Sequence, residues 1–477
     1  MQSGGIRSIF RNSAQLSAAQ VIGVLTRLAM VVIVTRELGA DLYGLLAYSQ
    51  AWSASFFSLA TAGIGAALVL EINRRREAAT RIAAEALGLQ LLLTLVAAAL
   101  SVAGALLVTP DPRAPALIFI LALALAGRSV VSWTTQVHTA RETTHHVMRQ
   151  EVVFRTVELA AVTAILAAGG GVLALAWVAA AAWLLQAGWA VSVLHRKVLP
   201  VGIAADGAAW KALLVLAAPF FIMMLSAEWR SYGALILFRN TVPDAQAFAQ
   251  LALGFQAAFI AAILPLSLSA AVQPALVRSC ARGDGRDLAW GDVVQRWSVV
   301  LGAAVALVAM AFGRDLFRLV FGEEFAEAGS IAAMALWWYA GMLAGAGYAQ
   351  VLIARGHTRI VAASSIAGAV AMTLLLPPLA ARYGVDGALA AMNVSYALPP
   401  LVVLAAAVRH GWTGWMRGLI RPLCAVLPGT AAFLLLRPQG AIVALAVALA
   451  ALVAGCLVFR AVSPGDARGL PMASHAG

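Results

Sequence analysis

Charge is scarce in this sequence. Asp, Glu, Lys and Arg make up 11% of its 477 residues, against about a quarter in an ordinary soluble domain. That shortage excludes a soluble globular fold. Lysine is nearly missing, with only Lys197 and Lys211; the dominance of arginine fits a GC-rich coding bias and carries little functional weight. The three cysteines (Cys280, Cys424, Cys456) show no paired spacing, which argues against a disulfide framework and a metal site. His-x-x-x-His spacing is absent as well, and the histidines, "THH" at 144–146 among them, fall outside the apolar runs. No Gly-x-x-x-x-Gly-Lys loop occurs, so ATP is not the direct energy source, and no cofactor is implied. Every loop is short, which disfavours membrane enzymes that carry a large extracytoplasmic catalytic loop.

What is present is apolar sequence. Hydrophobic residues make up 62% of the chain, and the mean hydropathy is +0.89. Windows of about 20 apolar residues, enough to cross a hydrocarbon core of about 30 Å, recur along its length. They predict helices near 14–35, 45–70, 86–108, 115–137, 152–169, 172–194, 211–238, 248–276, 297–313, 328–353, 360–380, 385–408, 420–436 and 440–460. The fold class expected is all-α: a polytopic membrane protein of about fourteen transmembrane helices. The first segment is too long, and too polar along one face, for a cleaved signal peptide.

The net charge of +12 and pI near 10.5 do not point to nucleic acid, because most arginines sit in short loops between apolar runs, where charge sets orientation. With the N-terminus inside, the inner loops hold roughly three times as many basic residues as the outer ones. Both termini are therefore expected in the cytoplasm. The outer turn "GGG" (169–171) carries no charge.

Four arginines lie within the predicted spans instead: Arg27, Arg128, Arg155 and Arg230, accompanied by Glu158 and Glu228. Facing lipid, each arginine costs about 2.5–3.5 kcal/mol, and all four on the order of 10 kcal/mol. They are expected to face a water-filled cavity or one another. Ser13, Ser17, Gln20 and Arg27 follow helical spacing, as do Arg128, Ser132 and Thr135, giving two polar stripes. Sliding the chain by 203 residues (230 minus 27) lays "RLAMVVIVTRELGAD" (27–41) over "RSYGALILFRNTVPD" (230–244). Arg27 then matches Arg230, Arg36 matches Arg239 and Asp41 matches Asp244. The match joins the first predicted span to the seventh, as expected of two parallel six-helix bundles around a central cavity. The expected domains are 1–196 and 197–410, with an additional helix pair and cytoplasmic tail at 411–477.

The stretch "TRELGADLYGLLAYSQAWSASFFSLATAGIGAALVLEINRRRE" (35–77) resembles the first helical pair of bacterial polysaccharide transporters. These form the oligosaccharide-flippase branch of the multidrug/oligosaccharidyl-lipid/polysaccharide (MOP) superfamily. "FRLVFGEEFAEAGSIAAMAL" (317–336) and "YGVDGALAAMNVSYAL" (383–398) resemble outer loops of later helices. The segment "NTVPDAQAFAQLAL" (240–253) departs from the family, lacking its Gly-x-Tyr. The resemblance implies flipping of undecaprenyl-pyrophosphate-linked sugars across the cytoplasmic membrane, and no enzymatic activity. The implied partners are a lipid-linked oligosaccharide carried on polyprenyl pyrophosphate, membrane lipids, and polysaccharide polymerase machinery.

The residues agree independently, because guanidinium groups bind phosphate oxygens bidentately. Substrate contact is expected from Arg27, Arg128, Arg155, Arg230 and Gln20, and coupling or charge neutralisation from Glu228 and Glu158. Plainer roles stand beside these. Arg27 and Arg128 would serve equally to brace helices. Arg155 and Glu158 stand one turn apart and would satisfy each other. Glu228 would neutralise an arginine or couple to a cation. Pro219, Pro265 and Pro274 would kink gating helices, though proline is common in membrane helices. Alternative functions are a lipid II flippase, a cation-coupled multidrug exporter of the same superfamily, a major-facilitator transporter and a membrane enzyme. The exporter is disfavoured because Glu158, beside Arg155, is the only acid within the predicted spans of the first half. The major-facilitator reading lacks its loop motif, since the loop after the second span reads "EINRRREAATR". The enzyme reading lacks paired intramembrane carboxylates.

Overall fold

Apolar runs of this length become helices because hydrocarbon offers the backbone no other hydrogen-bond partner. The computed structural model describes residues 4–261, 276, 279, 280, 282, 286–412 and 414–462; for residues 4–22, 24, 415 and 416 it describes the backbone alone. The side chains of Ser13, Ser17 and Gln20 lie outside this description, as do Pro265, Pro274, Arg278 and most of the later part of the expected span 248–276.

The chain forms two compact units, Met1–Ala249 and Gln250–Gly477. The first contains α1 (Gly4–Ser55), α2 (Phe57–Thr61), α3 (Ile64–Arg74), α4 (Ala79–Val108), α5 (Ala114–Ala140), α6 (His145–Ala167), α7 (Val172–Lys197), α8 (Gly207–Glu228) and α9 (Ala234–Thr241). Helix α10 (Ala245–Ala261) crosses the boundary. The second unit continues with α11 (Arg286–Phe321), α12 (Ala326–Leu343), α13 (Ala346–Ala354), α14 (Thr358–Arg409), α15 (Trp415–Leu436) and α16 (Ala441–Val458). Packing thus groups residues 207–249 with the first unit, whereas the repeat divides the sequence at 196/197.

Among the described residues, nine helical segments are long and apolar enough to cross a membrane, or ten if the bent pair α12–α13 counts as one span. The chain is a polytopic helical membrane protein. Two of those segments are interrupted at one glycine each, Gly39 (φ 69°) in α1 and Gly384 (φ 57°) in α14. Dividing these at the glycine and adding α6 and the short α10 gives the expected fourteen, which stands as a proposal. Helix α6 fails the apolar criterion because Arg149, Glu151, Arg155 and Glu158 share it.

Large apolar side chains face outward along these helices, among them Leu95, Leu107, Leu185, Leu319, Leu374 and Leu435. Exposure on that scale marks a lipid-facing surface. Inside the first unit, Ile64, Leu68, Ile72, Ile82, Trp133 and Leu194 pack into one core. In the second, α15 and α16 close on α11 through Leu307, Phe433 and Ala448.

Helix α5 is held from two sides. Gln90 of α4 donates to the Ser129 carbonyl (2.7 Å) and hydroxyl (3.0 Å), and the Thr94 and Ser129 hydroxyls meet at 2.7 Å. On the α7 side a Cβ at Gly127 would stand 2.6 Å from the Trp183 carbonyl carbon. Small residues permit such backbone approach between membrane helices. Replacing Gly127 by leucine is therefore expected to push α5 from α7 at a cost of about 1–3 kcal/mol. Thermal unfolding in detergent checks this, and an unchanged midpoint would contradict it.

Candidate anion site in the first unit

Arg128 comes one residue before the anchored Ser129 on α5 and is turned from it by about 100°. Its guanidinium lies over the Phe57 ring, 4.0 Å from the centroid, a geometry that favours a cation. Phe57 opens α2, a five-residue helix ended by left-handed backbone at Ala62 (φ 43°), with Gly63 (φ 67°) beyond it. A Cβ at Gly63 would come within 2.7 Å of the Phe221 nitrogen on α8, so glycine answers both the dihedral and the close approach.

The helix break leaves first-turn amides of α2 without intrahelical acceptors. One of them, the Ser58 N–H, donates to the Glu228 carboxylate at 3.0 Å. Glu228 closes α8, and the next five residues, Trp229–Gly233, form a π-helical turn. Arg230 lies in that turn and is buried. Turns of this kind are rare and concentrate at functional positions.

Arg128 stands within electrostatic reach of Arg27, Arg155, Tyr232 and Glu228, and Glu158 within reach of Arg27. The arginines nonetheless differ sharply in their partners. Arg155 bonds Glu158, approaches Glu151 at 3.4 Å, donates to Gln186 Oε1 at 2.7 Å and stacks over Trp183 at 4.4 Å. Gln186 in turn donates to Glu151 at 3.3 Å. A Cβ at Gly23 would lie 3.5 Å from Glu151 Oε1, which sets α1 against this network. Arg27 is exposed on α1 and Arg128 half-buried on α5, and among the described residues neither makes an ion pair or hydrogen bond.

Sequence reasoning missed Glu151, Gln186, Phe57 and the Ser58 amide. Glu151 lay one residue before the expected span 152–169; α6 begins at His145, which brings it onto the helix. Glu151 thus joins Glu158 as a second carboxylate of α6 beside Arg155. The i, i+4 spacing of Glu151 and Arg155 was the available signal. Ser58 carried none, because its contribution is backbone.

At the opposite end of α1, the two repeat copies have different partners. Asp41 pairs with Arg113 (3.1 Å), which also holds Asp111 (2.8 Å). Asp244 instead caps α10, accepting from the Gln246 and Ala247 amides at 2.9 and 3.0 Å. Tyr48 donates to Asn240 at 3.2 Å, and Arg239 donates to the Pro243 carbonyl at 2.8 Å. The residual cavity here, about 10 Å³, is bordered by Asp41, Tyr48, Asp111, Arg239 and Phe248. It has room for roughly one water.

Known structures share this fold of broken apolar helices. The chain is similar to the lipid II flippase MurJ in an inward closed conformation, with 10% identity, TM-score 0.70, and coverage of 94% of this chain and 98% of that one. It is also similar to an inward-facing multidrug resistance MATE family transporter of the MOP superfamily (14% identity, TM-score 0.64, coverage 85% and 99%). A third is a MOP superfamily transporter from Pyrococcus furiosus with a binding pocket of reversed polarity (14%, 0.59, 86% and 96%). The profile of the family described as "Polysaccharide biosynthesis protein" matches residues 9–279, more than half of the sequence, and the chain belongs to that family. Among curated proteins none matches.

Two outcomes are expected from this geometry. Arg155→Ala leaves the buried Glu158 uncompensated, and is expected to cost about 3–5 kcal/mol. Arg27→Ala removes no pair and is expected to leave thermal stability nearly unchanged; equal midpoints for the two variants would contradict this. Outside the spans, hydrogen bonding to the Arg113 guanidinium holds the Asp111 carboxyl below its usual range. A depressed folded value stabilises at neutral pH and is lost as pH falls below about 4. The exposed pair is worth at most about 1 kcal/mol, so Arg113→Gln should lose slightly less stability than wild type between pH 7 and pH 3.

Proposed function

We propose that this protein is a flippase for an oligosaccharide linked to undecaprenyl pyrophosphate, working in the bacterial cytoplasmic membrane with both termini in the cytoplasm. The observation that carries the reading is the contrast among neighbouring arginines. Arg155 is neutralised by Glu151 and Glu158, while Arg27 and Arg128 stand nearby without an ion pair. A pyrophosphate carries about two negative charges and accepts bidentate bonds from guanidinium groups. It would satisfy Arg27 and Arg128 together while the lipid tail stays in the bilayer. Membership of a polysaccharide biosynthesis family supports this cargo over a drug-like cation.

Each side chain then has a defined task. Arg27 and Arg128 clamp the headgroup. Arg155 and Glu158 hold α6 in place and shape the positive field without giving up their own partners. Glu228 fixes the Phe57–Ser58 break and offsets Arg128 while cargo is absent. Arg230 sits in the π turn directly after it, as a second-copy counterpart of Arg27. Loading and release follow alternating access of two parallel bundles, 1–196 and 197–410.

Transport of a fluorescent lipid-linked oligosaccharide by proteoliposomes tests the clamp. Arg27→Ala and Arg128→Ala are each expected to abolish flipping while the protein still inserts, and lysine at either position to restore part of it. Wild-type rates in both alanine variants would overturn the reading. A lipid II probe in the same assay separates the second cargo, being transported at a comparable rate only if the site reads pyrophosphate alone. Glu228→Gln is expected to slow flipping without changing its response to proton or sodium gradients, because the amide keeps an acceptor for Ser58. A lost gradient dependence would instead make Glu228 the coupling group.

A further inference from the structure

A second cationic site lies at the basic end of the first unit. Three chain segments meet there: the short turn after α3, the end of α5 with the turn beyond it, and the end of α7. They border an open surface cleft of about 340 Å³ lined by Arg76, Arg141, Glu142 and Lys197, with Ala140 and Val198 as apolar wall. Three cations against one carboxylate leave it two positive charges in excess.

The neighbouring arginines show how unusual this is. Arg74 and Arg75 each pair with Glu71 at 3.5 Å, and Arg81 pairs with Glu85 at 2.6 Å and Asp206 at 3.3 Å. Where this end of the protein neutralises an arginine, it supplies a carboxylate. Among the described residues Arg76, Arg141 and Lys197 have no such partner, although their heads share one concavity. Like charges gathered in a cleft raise the local concentration of an anion.

The site is also built rather than incidental. Glu142 holds left-handed backbone (φ 58°), a conformation that costs a non-glycine residue on the order of 1 kcal/mol or more. The turn is tied down beside it, where Thr143 Oγ1 meets Nδ1 of the buried His138 at 2.8 Å. The strained turn follows directly on Arg141, which shares the lining of this cleft with Lys197.

We propose that the Arg76–Arg141–Lys197 pocket binds a phosphate or pyrophosphate group carried on a lipid at the membrane surface. The volume accommodates a charged headgroup with its first polar substituents, and guanidinium plus ammonium is the donor set that phosphate oxygens accept. An anionic phospholipid and a polyprenyl pyrophosphate both present that chemistry. The proposal does not depend on the flippase reading, since none of these residues belongs to the Arg27–Arg128 site.

The test uses the full chain in phosphatidylcholine nanodiscs. Retention of phosphatidylglycerol, added as a minor component, is counted by native mass spectrometry, and binding of inorganic pyrophosphate is measured by calorimetry. The Arg141→Gln/Lys197→Gln variant is compared with wild type and with Arg113→Gln, after confirming equal thermal midpoints; Arg141→Lys serves if the double variant is misfolded. Loss of at least about tenfold in binding of either probe, with Arg113→Gln unchanged, supports the site. Phosphatidylglycerol retained against pyrophosphate identifies a resident phospholipid, and its displacement identifies a headgroup shared with cargo. Unchanged binding of both probes in the pocket variants, or an equal loss in Arg113→Gln, overturns the proposal. Failure here leaves the transport prediction for Arg27 and Arg128 untouched, so the two readings fail separately.

Discussion

The matching of charge within an apolar environment governs this protein. An ion taken from water must find an opposite charge, a hydrogen bond or a polar ligand inside the protein. Arg155 finds all it needs in Glu151, Glu158, Gln186 and the face of Trp183. That network ties α6 to α7 and stands against α1, so the least apolar helix of the bundle becomes one of its fixed points. Once Arg155 is settled, the exposed Arg27 and the half-buried Arg128 stand out, because Glu151 and Glu158 are committed to Arg155 and Glu228 to the Ser58 amide. Under the proposed function, that positive field is what receives the anionic headgroup.

The backbone obeys the same rule. Helix breaks inside a bundle expose amides that hydrocarbon cannot satisfy, and they are tolerated where another group takes them up. The break around 56–63 is met by Glu228 from α8, and the approach of α8 is possible because position 63 is glycine. Phe57, displaced from a continuous helix by the same break, gives Arg128 its aromatic face. Local backbone geometry, helix packing and the electrostatics of the site are thus one arrangement.

Much of this was legible in the sequence. The apolar windows located the helices because hydropathy and length are one-dimensional properties, and the intramembrane arginines were conspicuous against so little charge. Of the stretches that carried the family resemblance, 35–77 lies within the matched region, and 317–336 and 383–398 lie beyond it. Partnerships were harder to read. Arg155 with Glu158 could be inferred from spacing along one helix, but Gln186 lies 31 residues away and Ser58 contributes only an amide. The start of α6 was misplaced because its first turns are too polar to register in a hydropathy window, and Glu151 was lost with it. The repeat of Arg27 and Arg36 in Arg230 and Arg239 could be read as letters, yet not the different surroundings each copy acquired: Asp41 binds a side chain, whereas Asp244 caps a helix.

The π turn at 229–233 has a consequence for the length of the chain. Its hydrogen bonds span one residue more than those of an α-helix, so the turn houses a surplus residue without rotating the helix beyond it. A one-residue deletion inside it would restore α geometry and keep α8 and α9 facing their present neighbours. The same deletion earlier in α8 would swing everything downstream by about 100°, and Asn240 would lose Tyr48. Insertions and deletions near Arg230 are therefore unequal events: the turn is a place where the protein has room to lose a residue and still keep its faces aligned.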